Sequence, residues 1–211
     1  MQIIKEDFGS EKIQRILDGL DLNDGYIQNG VEVWRYHGTD KNTLHSYIGA
    51  YDKLLTPYED KEINLLEVGV ARGGSFVLWK NLLPKAKIAL VDIHDYMTPQ
   101  AKAEINENSK LYIMDAYTEQ AIEKLKENYP EGFDIIIEDG PHTMETQAYM
   151  VRNYLPLLKN GGVMVVEDLR TDEFIENLVK IVPDELKENV TIYDLRNVKN
   201  RQDDILFVIK K

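Results

Sequence analysis

Three carboxylates and one histidine stand at the ends of two apolar segments. They are Asp139 and His142 in "FDIIIEDGPH" (133–142), and Glu167 and Asp168 in "GVMVVED" (162–168). If these segments are neighbouring strands, the carboxylates meet at one edge of a sheet, where their repulsion makes a divalent cation the natural partner. Ligation by carboxylates and water suits Mg²⁺, Mn²⁺ or Ca²⁺ rather than zinc. The sequence therefore predicts a metal site formed by Asp139, Glu167 and Asp168.

His142 is the residue of this group that can move a proton. It follows Asp139 by three positions, after Gly140 and Pro141 turn the chain back over the strand end. An alcohol is a weak nucleophile at neutral pH, and histidine is the side chain best suited to accept its proton. Two open coordination positions on a bound cation would orient adjacent hydroxyl groups for such a reaction.

Consecutive acidic residues on an extended strand cannot all reach one cation, because their side chains point to opposite faces. Glu138 is therefore expected to be a poorer ligand than Asp139. Glu167 and Asp168 can bind the same cation only if the chain turns at this point.

Composition and charge exclude several classes of protein. The 211 residues, of which 43% are hydrophobic, predict one domain over 1–211 with a full core. The absence of cysteine excludes disulfides, thiolate metal sites and a cysteine nucleophile. A net charge of −12 disfavours nucleic acid and anionic membranes as partners. Charges near the first residue argue against a secretory signal, and no apolar run is long enough to span a membrane, so we expect a cytoplasmic protein.

Short apolar segments alternate with segments of helical spacing. The apolar segments are "INLLEVGV" (63–70), "KIALVDI" (87–93), "KLYIMDA" (110–116), "FDIIIED" (133–139) and "GVMVVED" (162–168). This alternation predicts βαβ units and a parallel sheet covered on both faces, an α/β doubly wound, Rossmann-like fold. Two more strands, 189–196 and 203–211, are joined by too few residues for a helical crossover, so we expect a C-terminal antiparallel hairpin.

Residues 1–58 precede this core, which we assign to 59–211. Helices are expected at 10–20, with Ser10 as N-cap, and at 43–58. The loop between them, 21–42, is rich in Gly, Asn and Asp and carries three aromatic residues. It is either a lid over a site or a packed surface loop.

The predicted strand ends also suggest a site for a ribose-bearing cofactor. The first βα turn contains Glu67, Gly69 and Gly73, and its helix begins near Ser75. These glycines allow a sharp turn and a close approach to a ligand, but the G-x-G-x-x-G pattern of dinucleotide folds is absent. Asp92, at the end of the second strand, is placed to accept both ribose hydroxyls. Asp115, followed by Ala116, is placed to accept a hydrogen bond from an adenine amino group.

These motifs resemble those of class I S-adenosylmethionine-dependent methyltransferases, which have a seven-stranded sheet with an antiparallel last strand. The segments that carry a narrower resemblance are "GTDKNTLHSYIGAYDKLL", "INLLEVGVARGGSFVLWKNLLPKAKIALVDI", "FDIIIEDGPHT" and "LPLLKNGGVMVVEDL". They look like the metal-dependent sugar O-methyltransferases of the macrolide type. The resemblance implies S-adenosylmethionine and Mg²⁺ (or Mn²⁺ or Ca²⁺) as cofactors. It implies His142 as general base, the three acids as metal ligands, and a sugar or glycoside hydroxyl as acceptor.

The same resemblance leaves several points open. Tyr51 is expected to line the cofactor pocket, whereas Lys41, His45 and Tyr47 are open between pocket lining and core packing. One alternative is a catechol-like O-methyltransferase, a group that more often uses lysine as base. Another is a non-catalytic protein that binds S-adenosylmethionine. The oligomeric state is also open between a monomer and a homo-oligomer.

Overall fold

The computed structural model describes residues 1–211 and contains ten strands and eight helices. The strands are β1 (Gln2–Ile4), β2 (Tyr26–Gln28), β3 (Val31–Val33), β4 (Asn64–Val68), β5 (Lys87–Asp92), β6 (Ser109–Ile113), β7 (Phe133–Glu138), β8 (Leu158–Val166), β9 (Val190–Asp194) and β10 (Ile205–Lys210). The helices are α1 (Glu11–Gly19), α2 (Ile48–Leu55), α3 (Gly74–Leu82), α4 (Pro99–Ala103), α5 (Glu119–Asn128), α6 (Met144–Tyr154), α7 (Asp172–Ile181) and α8 (Arg196–Lys199).

Eight strands form one sheet in the order β1-β9-β10-β8-β7-β4-β5-β6. Strands β4 to β8 are parallel, and β10 runs antiparallel to both β8 and β9. The predicted mostly parallel sheet with an antiparallel C-terminal strand is therefore confirmed. The prediction of seven strands missed the edge strand β1, which pairs in parallel with β9. Strand β1 has only three residues and lies beside charged ones, so it is too short to show a hydrophobic periodicity.

Helices cover both faces of the sheet, as the continuous apolar strands predicted. Alternate residues of β7 enter different buried clusters: Ile135 and Ile137 pack with α1 to α4, whereas Ile136 packs with α5 to α7. All three side chains are fully buried. A strand that is covered on both faces needs apolar residues at every position.

Two predicted helices differ at their ends from those in the structure. The helix expected over 145–160 is α6, which ends at Tyr154 because Pro156 lacks an N–H and disfavours helical backbone before it. The helix expected over 43–58 begins only at Ile48. Before it, the Asp40 carbonyl accepts the N–H groups of residues 43, 44 and 45, which closes a tight turn. Ser10 caps α1 as predicted, accepting the N–H of Ile13.

The segment 34–40 lies across the turn that follows β4. A Cβ atom on Gly74 would meet the carbonyl of Gly38 at 2.0 Å, so the two backbones touch. The same segment follows the small hairpin β2–β3, which is separate from the main sheet. The structure contains no helix with the length and apolar character needed to span a membrane.

Candidate active site

The strand order reverses between β4 and β7, and a pocket of about 460 Å³ opens there at the carboxyl ends of the strands. Open α/β sheets bind ligands at this position. Five of the residues predicted from the sequence line the pocket: Gly69, Asp92, Asp115, Ala116 and Asp139. The spacing of strand-end residues therefore brought the expected nucleoside-binding groups to one place.

Asp92 shapes the glycine turn beside the pocket. Its Oδ2 accepts the backbone N–H groups of Val70 and Ala71, both at 2.9 Å, and its Oδ1 accepts one from His94 at 3.1 Å. Gly69 has φ +87°, and a Cβ there would lie 1.9 Å from the carbonyl oxygen of Asp139. Only glycine fits this crossing of two strand ends.

Four residues predicted to bind the cofactor lie outside this pocket. Glu67 is fully buried and accepts a 2.8 Å hydrogen bond from Trp79 Nε1, because strand alternation turns it towards α2 and α3. Burial raises the pKa of Glu67 to about 7, against the opposing charge of Lys41. Tyr51 packs against Trp79 in the core. Gly73, with φ +87°, begins α3. Ser75 lines a second, adjacent cavity.

Asp139, His142 and Asp168 converge at the ends of β7 and β8. Their ligand atoms lie within 4.8 Å of one another. His142 Nε2 is 3.8 Å from Asp139 Oδ1 and 3.6 Å from Asp168 Oδ2. His142 and Asp168 have φ +54° and +58°, so the chain turns sharply at both residues. The cluster thus contains His142, the expected proton acceptor, and Asp139 and Asp168, two of the three expected metal ligands.

Glu167 does not join this cluster. Its N–H bonds the Glu138 carbonyl at 2.9 Å, which continues the β-ladder, and the chain turns only at Asp168. The Glu167 carboxylate is not among the convergent ligand atoms and accepts a hydrogen bond from the Tyr51 hydroxyl. The turn that the sequence analysis required is present at Asp168, and the role of Glu167 as a metal ligand stays a prediction.

Lys41 fills the space between Asp139 and Glu167. Its Nζ lies 2.8 Å from Asp139 Oδ2 and 2.7 Å from both carboxylate oxygens of Glu167, and its side chain is 1% exposed. Burial acts to lower the pKa of Lys41, but these carboxylates outweigh it and raise the pKa well above its usual value. The sequence analysis left Lys41 open between two roles, because no local pattern reveals a partner 98 or 126 residues away.

Tyr47 and His45 hold the other side of the cluster. The Tyr47 hydroxyl is 2.7 Å from Asp168 Oδ1 and 3.0 Å from the Asp203 carbonyl oxygen. His45 Nδ1 is 3.5 Å from Oδ1 of both Asp168 and Asp204. Burial raises the pKa of Asp168 to about 6, with His45 opposing the shift and Asp139 adding to it. Each acid of the cluster thus has one oxygen held by the protein and one facing His142.

Glu138 lies outside the cluster, in agreement with its expected weakness as a ligand. Its Oε1 accepts hydrogen bonds from the Tyr117 hydroxyl at 2.7 Å and from the Gly140 N–H at 3.3 Å. The other oxygen is buried without a partner. Burial raises the pKa of Glu138 to about 7, with the Tyr117 hydrogen bond opposing it.

The donor set of the cluster fits a divalent cation. Two carboxylate oxygens and an imidazole nitrogen converge, and the neighbouring groups orient the two carboxylates from behind. A cavity of about 420 Å³ lies over the three residues and reaches the glycine turn. It shares Gly69, Ala71, Asp139 and Gly140 with the pocket at the switch point. A ligand in one cavity would therefore contact a ligand in the other.

Comparison with known proteins identifies the class. Residues 66–169 match the family model described as a methyltransferase domain. The chain is 30% identical over 142 residues to the 8-demethyl-8-alpha-L-rhamnosyl tetracenomycin-C 2'-O-methyltransferase of Streptomyces olivaceus, covering 64% of this chain and 36% of that protein. It is 28% identical over 145 residues to the mycinamicin VI 2''-O-methyltransferase of Micromonospora griseorubida, covering 65% and 35%. The chain thus spans about a third of the length of these relatives.

Solved structures show the same fold. The MycE methyltransferase from the mycinamycin biosynthetic pathway, in complex with Mg and SAH, superposes with a TM-score of 0.67 at 18% identity, over 98% of this chain and 55% of that chain. Human methyltransferase-like protein 13 in complex with SAH gives a TM-score of 0.56 at 17% identity, over 74% of this chain and 75% of that chain. Strand order and pocket position agree with the match of residues 66–169 to a methyltransferase domain, and the chain resembles class I methyltransferases in fold.

Proposed function

We propose that this chain transfers a methyl group from S-adenosylmethionine to a hydroxyl of a sugar or glycosylated small molecule, with Mg²⁺ as the first choice of cation. The observation that carries the proposal is the convergence of Asp139, His142 and Asp168 beside the switch-point pocket. The named activities of the sugar O-methyltransferases that the chain resembles support the type of acceptor.

The cofactor would be held by the residues of the switch-point pocket. When bound, S-adenosylmethionine supplies an electrophilic methyl group. Asp92 Oδ1 accepts only the His94 N–H, so it has lone-pair capacity for ribose hydroxyls. Asp115 and Ala116 line the far end of the pocket, where an adenine ring would lie. The absence of a side chain at Gly69 keeps the turn close to the ligand.

The cation would be held by Asp139 and Asp168. When bound, a divalent cation lowers the pKa of a coordinated hydroxyl group and fixes its position. Lys41 holds Asp139 Oδ2, and Tyr47 holds Asp168 Oδ1, so the remaining oxygens face the same point. Glu167 anchors Lys41 in this arrangement. The ligand geometry is thus set by residues behind it.

His142 would take the proton of the acceptor hydroxyl. Its Nε2 lies 3.8 Å from Asp139 Oδ1 and 3.6 Å from Asp168 Oδ2, beside the point where the cation would hold the acceptor hydroxyl. Its Nδ1 is buried and without a hydrogen-bond partner. The positive φ of His142 fixes the direction of the ring relative to β7.

The catechol-like alternative needs a lysine base, and Lys41 is the lysine at the site. Lys41 is an unsuitable base, because its two carboxylate partners hold it protonated in a buried position. A base must be neutral before it can accept a proton. This arrangement favours His142, and with it the sugar-type reaction.

Substitution of His142 tests the proposal. The purified protein with Mg²⁺ and labelled S-adenosylmethionine is given a panel of methyl pyranosides and catechol. We expect methyl transfer to a pyranoside, and a fall in kcat of about 10²–10⁴-fold in His142→Ala. Binding of S-adenosylhomocysteine and Mg²⁺, measured by calorimetry, should persist in this variant. The exposed His94 provides the control, and His94→Ala should keep its activity.

Three outcomes would contradict the proposal in different ways. Transfer to catechol alone would favour the catechol-like alternative. Binding of S-adenosylhomocysteine without transfer to any acceptor would favour a non-catalytic protein. Full activity of His142→Ala would remove His142 from the reaction while leaving the methyltransferase assignment in place.

A further inference from the structure

Two aromatic side chains form the outer wall of the cavity that lies over the acids. Trp34 and Tyr36 line the same cavity as Asp139, His142 and Asp168. Their ring centroids are 6.4 Å apart and their planes differ by 22°. Tyr36 is 56% exposed, which is unusual for a large aromatic residue that only fills a core.

The backbone that carries these rings is held rigidly by one buried acid. Asp24 is 1% exposed, and its carboxylate accepts the N–H groups of Gly25, Arg35, His37 and Gly38 at 2.6 to 3.3 Å. Burial acts to raise the pKa of Asp24, but the four hydrogen bonds outweigh it and lower the pKa. The Asp24 carboxylate therefore organises the segment 34–38 before any ligand arrives.

The wall is also attached to the glycine turn. The Arg72 guanidinium lies 5.3 Å from the Tyr36 ring centroid and 5.7 Å from that of Tyr96. The Trp34 ring lies against Gly25, where a Cβ atom would meet it at 3.0 Å. Both rings thus keep a defined position relative to the cofactor turn, although neither belongs to the buried core.

We propose that Trp34 and Tyr36 form an acceptor platform that stacks against the apolar face of a neutral pyranose ring. The C–H bonds on one face of a pyranose are complementary to the negative face of an aromatic ring. A sugar on this wall would place its hydroxyl groups towards His142 and Asp168 across the same cavity. This inference rests on the proposed methyl transfer and specifies its substrate.

Charge at the cavity selects neutral sugars over acidic ones. Asp24, Asp40, Asp139 and Asp168 all line it, and the only cationic side chain in the lining, Arg72, lies against Tyr36. The chain as a whole carries −12. With a cation on Asp139 and Asp168, Asp24 and Asp40 would remain to repel a uronic acid or a nucleoside diphosphate sugar at this entrance. Neutral glycosides are therefore the class that the platform fits.

Kinetics with matched substrates and variants test the platform. Trp34→Leu and Tyr36→Leu remove a ring but keep an apolar side chain, while Trp34→Phe and Tyr36→Phe keep a ring. We expect each leucine variant to raise the KM for a pyranoside that serves as methyl acceptor about tenfold. The kcat and the affinity for S-adenosylhomocysteine should change little. The phenylalanine variants should have a KM close to that of the wild-type protein. Tyr26→Leu is the control, because Tyr26 is exposed on β2 but lines a different cavity.

A second readout does not depend on turnover. The chain has two tryptophans, and Trp79 is fully buried, so acrylamide quenching reports mainly on Trp34. Methyl α-L-rhamnopyranoside should protect the fluorescence of the wild-type protein in the presence of S-adenosylhomocysteine and Mg²⁺. The protection should weaken in Tyr36→Leu. Methyl α-D-glucopyranoside should also protect better than its uronic acid counterpart.

The two readouts separate this inference from the proposed function. If no pyranoside is methylated, the proposed function fails, and quenching alone decides whether the platform binds sugars. The platform would be ruled out if the pyranoside did not protect Trp34 from acrylamide quenching. An unchanged KM in both leucine variants would also rule it out. Equal loss of cofactor affinity in these variants would also overturn it, because the rings would then serve the cofactor. Preference for the uronic acid would refute the charge argument.

Discussion

Replacing Lys41 by methionine should destabilise the protein strongly. The substitution keeps the length and apolar stem of the side chain but removes the ammonium group between Asp139 and Glu167. Lys41 and Glu167 have side chains that are 1% and 2% exposed, and Asp139 is 23% exposed. The change therefore leaves two carboxylates at a buried position without their cation.

The expected magnitude follows from this burial. Removing one partner of a buried ion pair costs about 3–5 kcal/mol, because the remaining charge is not compensated. Both oxygens of Glu167 lose the hydrogen bond that the Lys41 ammonium group donates, so the upper half of this range is appropriate. For a chain of this size, such a loss lowers Tm by about 10 °C or more. Adding Glu167→Gln removes one of the uncompensated charges and should restore at least half of the loss.

Urea denaturation in EDTA, followed by circular dichroism, measures these changes as shifts in midpoint at constant m value. The matched control is Lys102→Met, which removes the ion pair between Lys102 and Asp95. This pair has a similar N–O distance, 2.7 Å, but its side chains are 43% and 42% exposed. An exposed pair contributes less than about 1 kcal/mol. Saturating Mg²⁺ should reduce the loss in Lys41→Met, since a bound cation would compensate Asp139.

Two results would refute the reasoning. A loss in Lys41→Met no larger than that in Lys102→Met would show that the buried pair adds little. A double variant with Glu167→Gln that is as unstable as the sum of its single variants would show that the two residues are not coupled.

Three further outcomes are expected from single groups in the site. The pKa of Glu138 is raised to about 7, so the folded protein binds more protons than the unfolded chain above the ordinary value of 4.5. The contribution of Glu138 to the free energy of unfolding is fully present below its unfolded pKa of 4.5 and is lost as pH rises through about 7. In a series of denaturation curves across this pH range, Glu138→Gln should reduce the decrease in unfolding free energy by about 3 kcal/mol. Gly69→Ala should destabilise by about 3 kcal/mol, because its Cβ would strike the Asp139 carbonyl. Gly30→Ala, with φ +77° and no neighbour within 4 Å, should cost about 1–2 kcal/mol in the same urea titration. Asp92→Asn should weaken S-adenosylhomocysteine binding about tenfold by calorimetry, and an unchanged Kd would contradict the ribose role.

The parts of the fold that were predictable have local signals. Strands β4, β5 and β7 and the second half of β8 are covered on both faces, so each appears as a continuous apolar run. The edge strand β1 has no such signal, because it is largely exposed and forms only by pairing with β9 almost two hundred residues away. The helix start at Ile48 was missed because residues 43–47 continue the helical spacing, although in the structure they belong to a tight turn closed by the Asp40 carbonyl.

The candidate site was predictable where residues follow a strand directly. Asp92, Asp115 and Asp139 lie where strand ends were expected, because parallel strands end at one edge. Glu67 and Tyr51 were expected in the pocket and lie in the core. Their direction depends on strand alternation and on Trp79, neither of which could be assigned from single positions.

The sequence by itself determined the alternation of strands and helices, the glycine turn after β4 and the presence of Asp139, His142 and Asp168 at strand ends. Tertiary structure alone decided that the ligand atoms of Asp139, His142 and Asp168 converge, with a sharp turn of the chain at Asp168. It also brought Lys41 between two acids far along the chain and placed Trp34 and Tyr36 over the site. Periodicity records which face of an element is buried, but the partner across that face is set only when distant segments pack together.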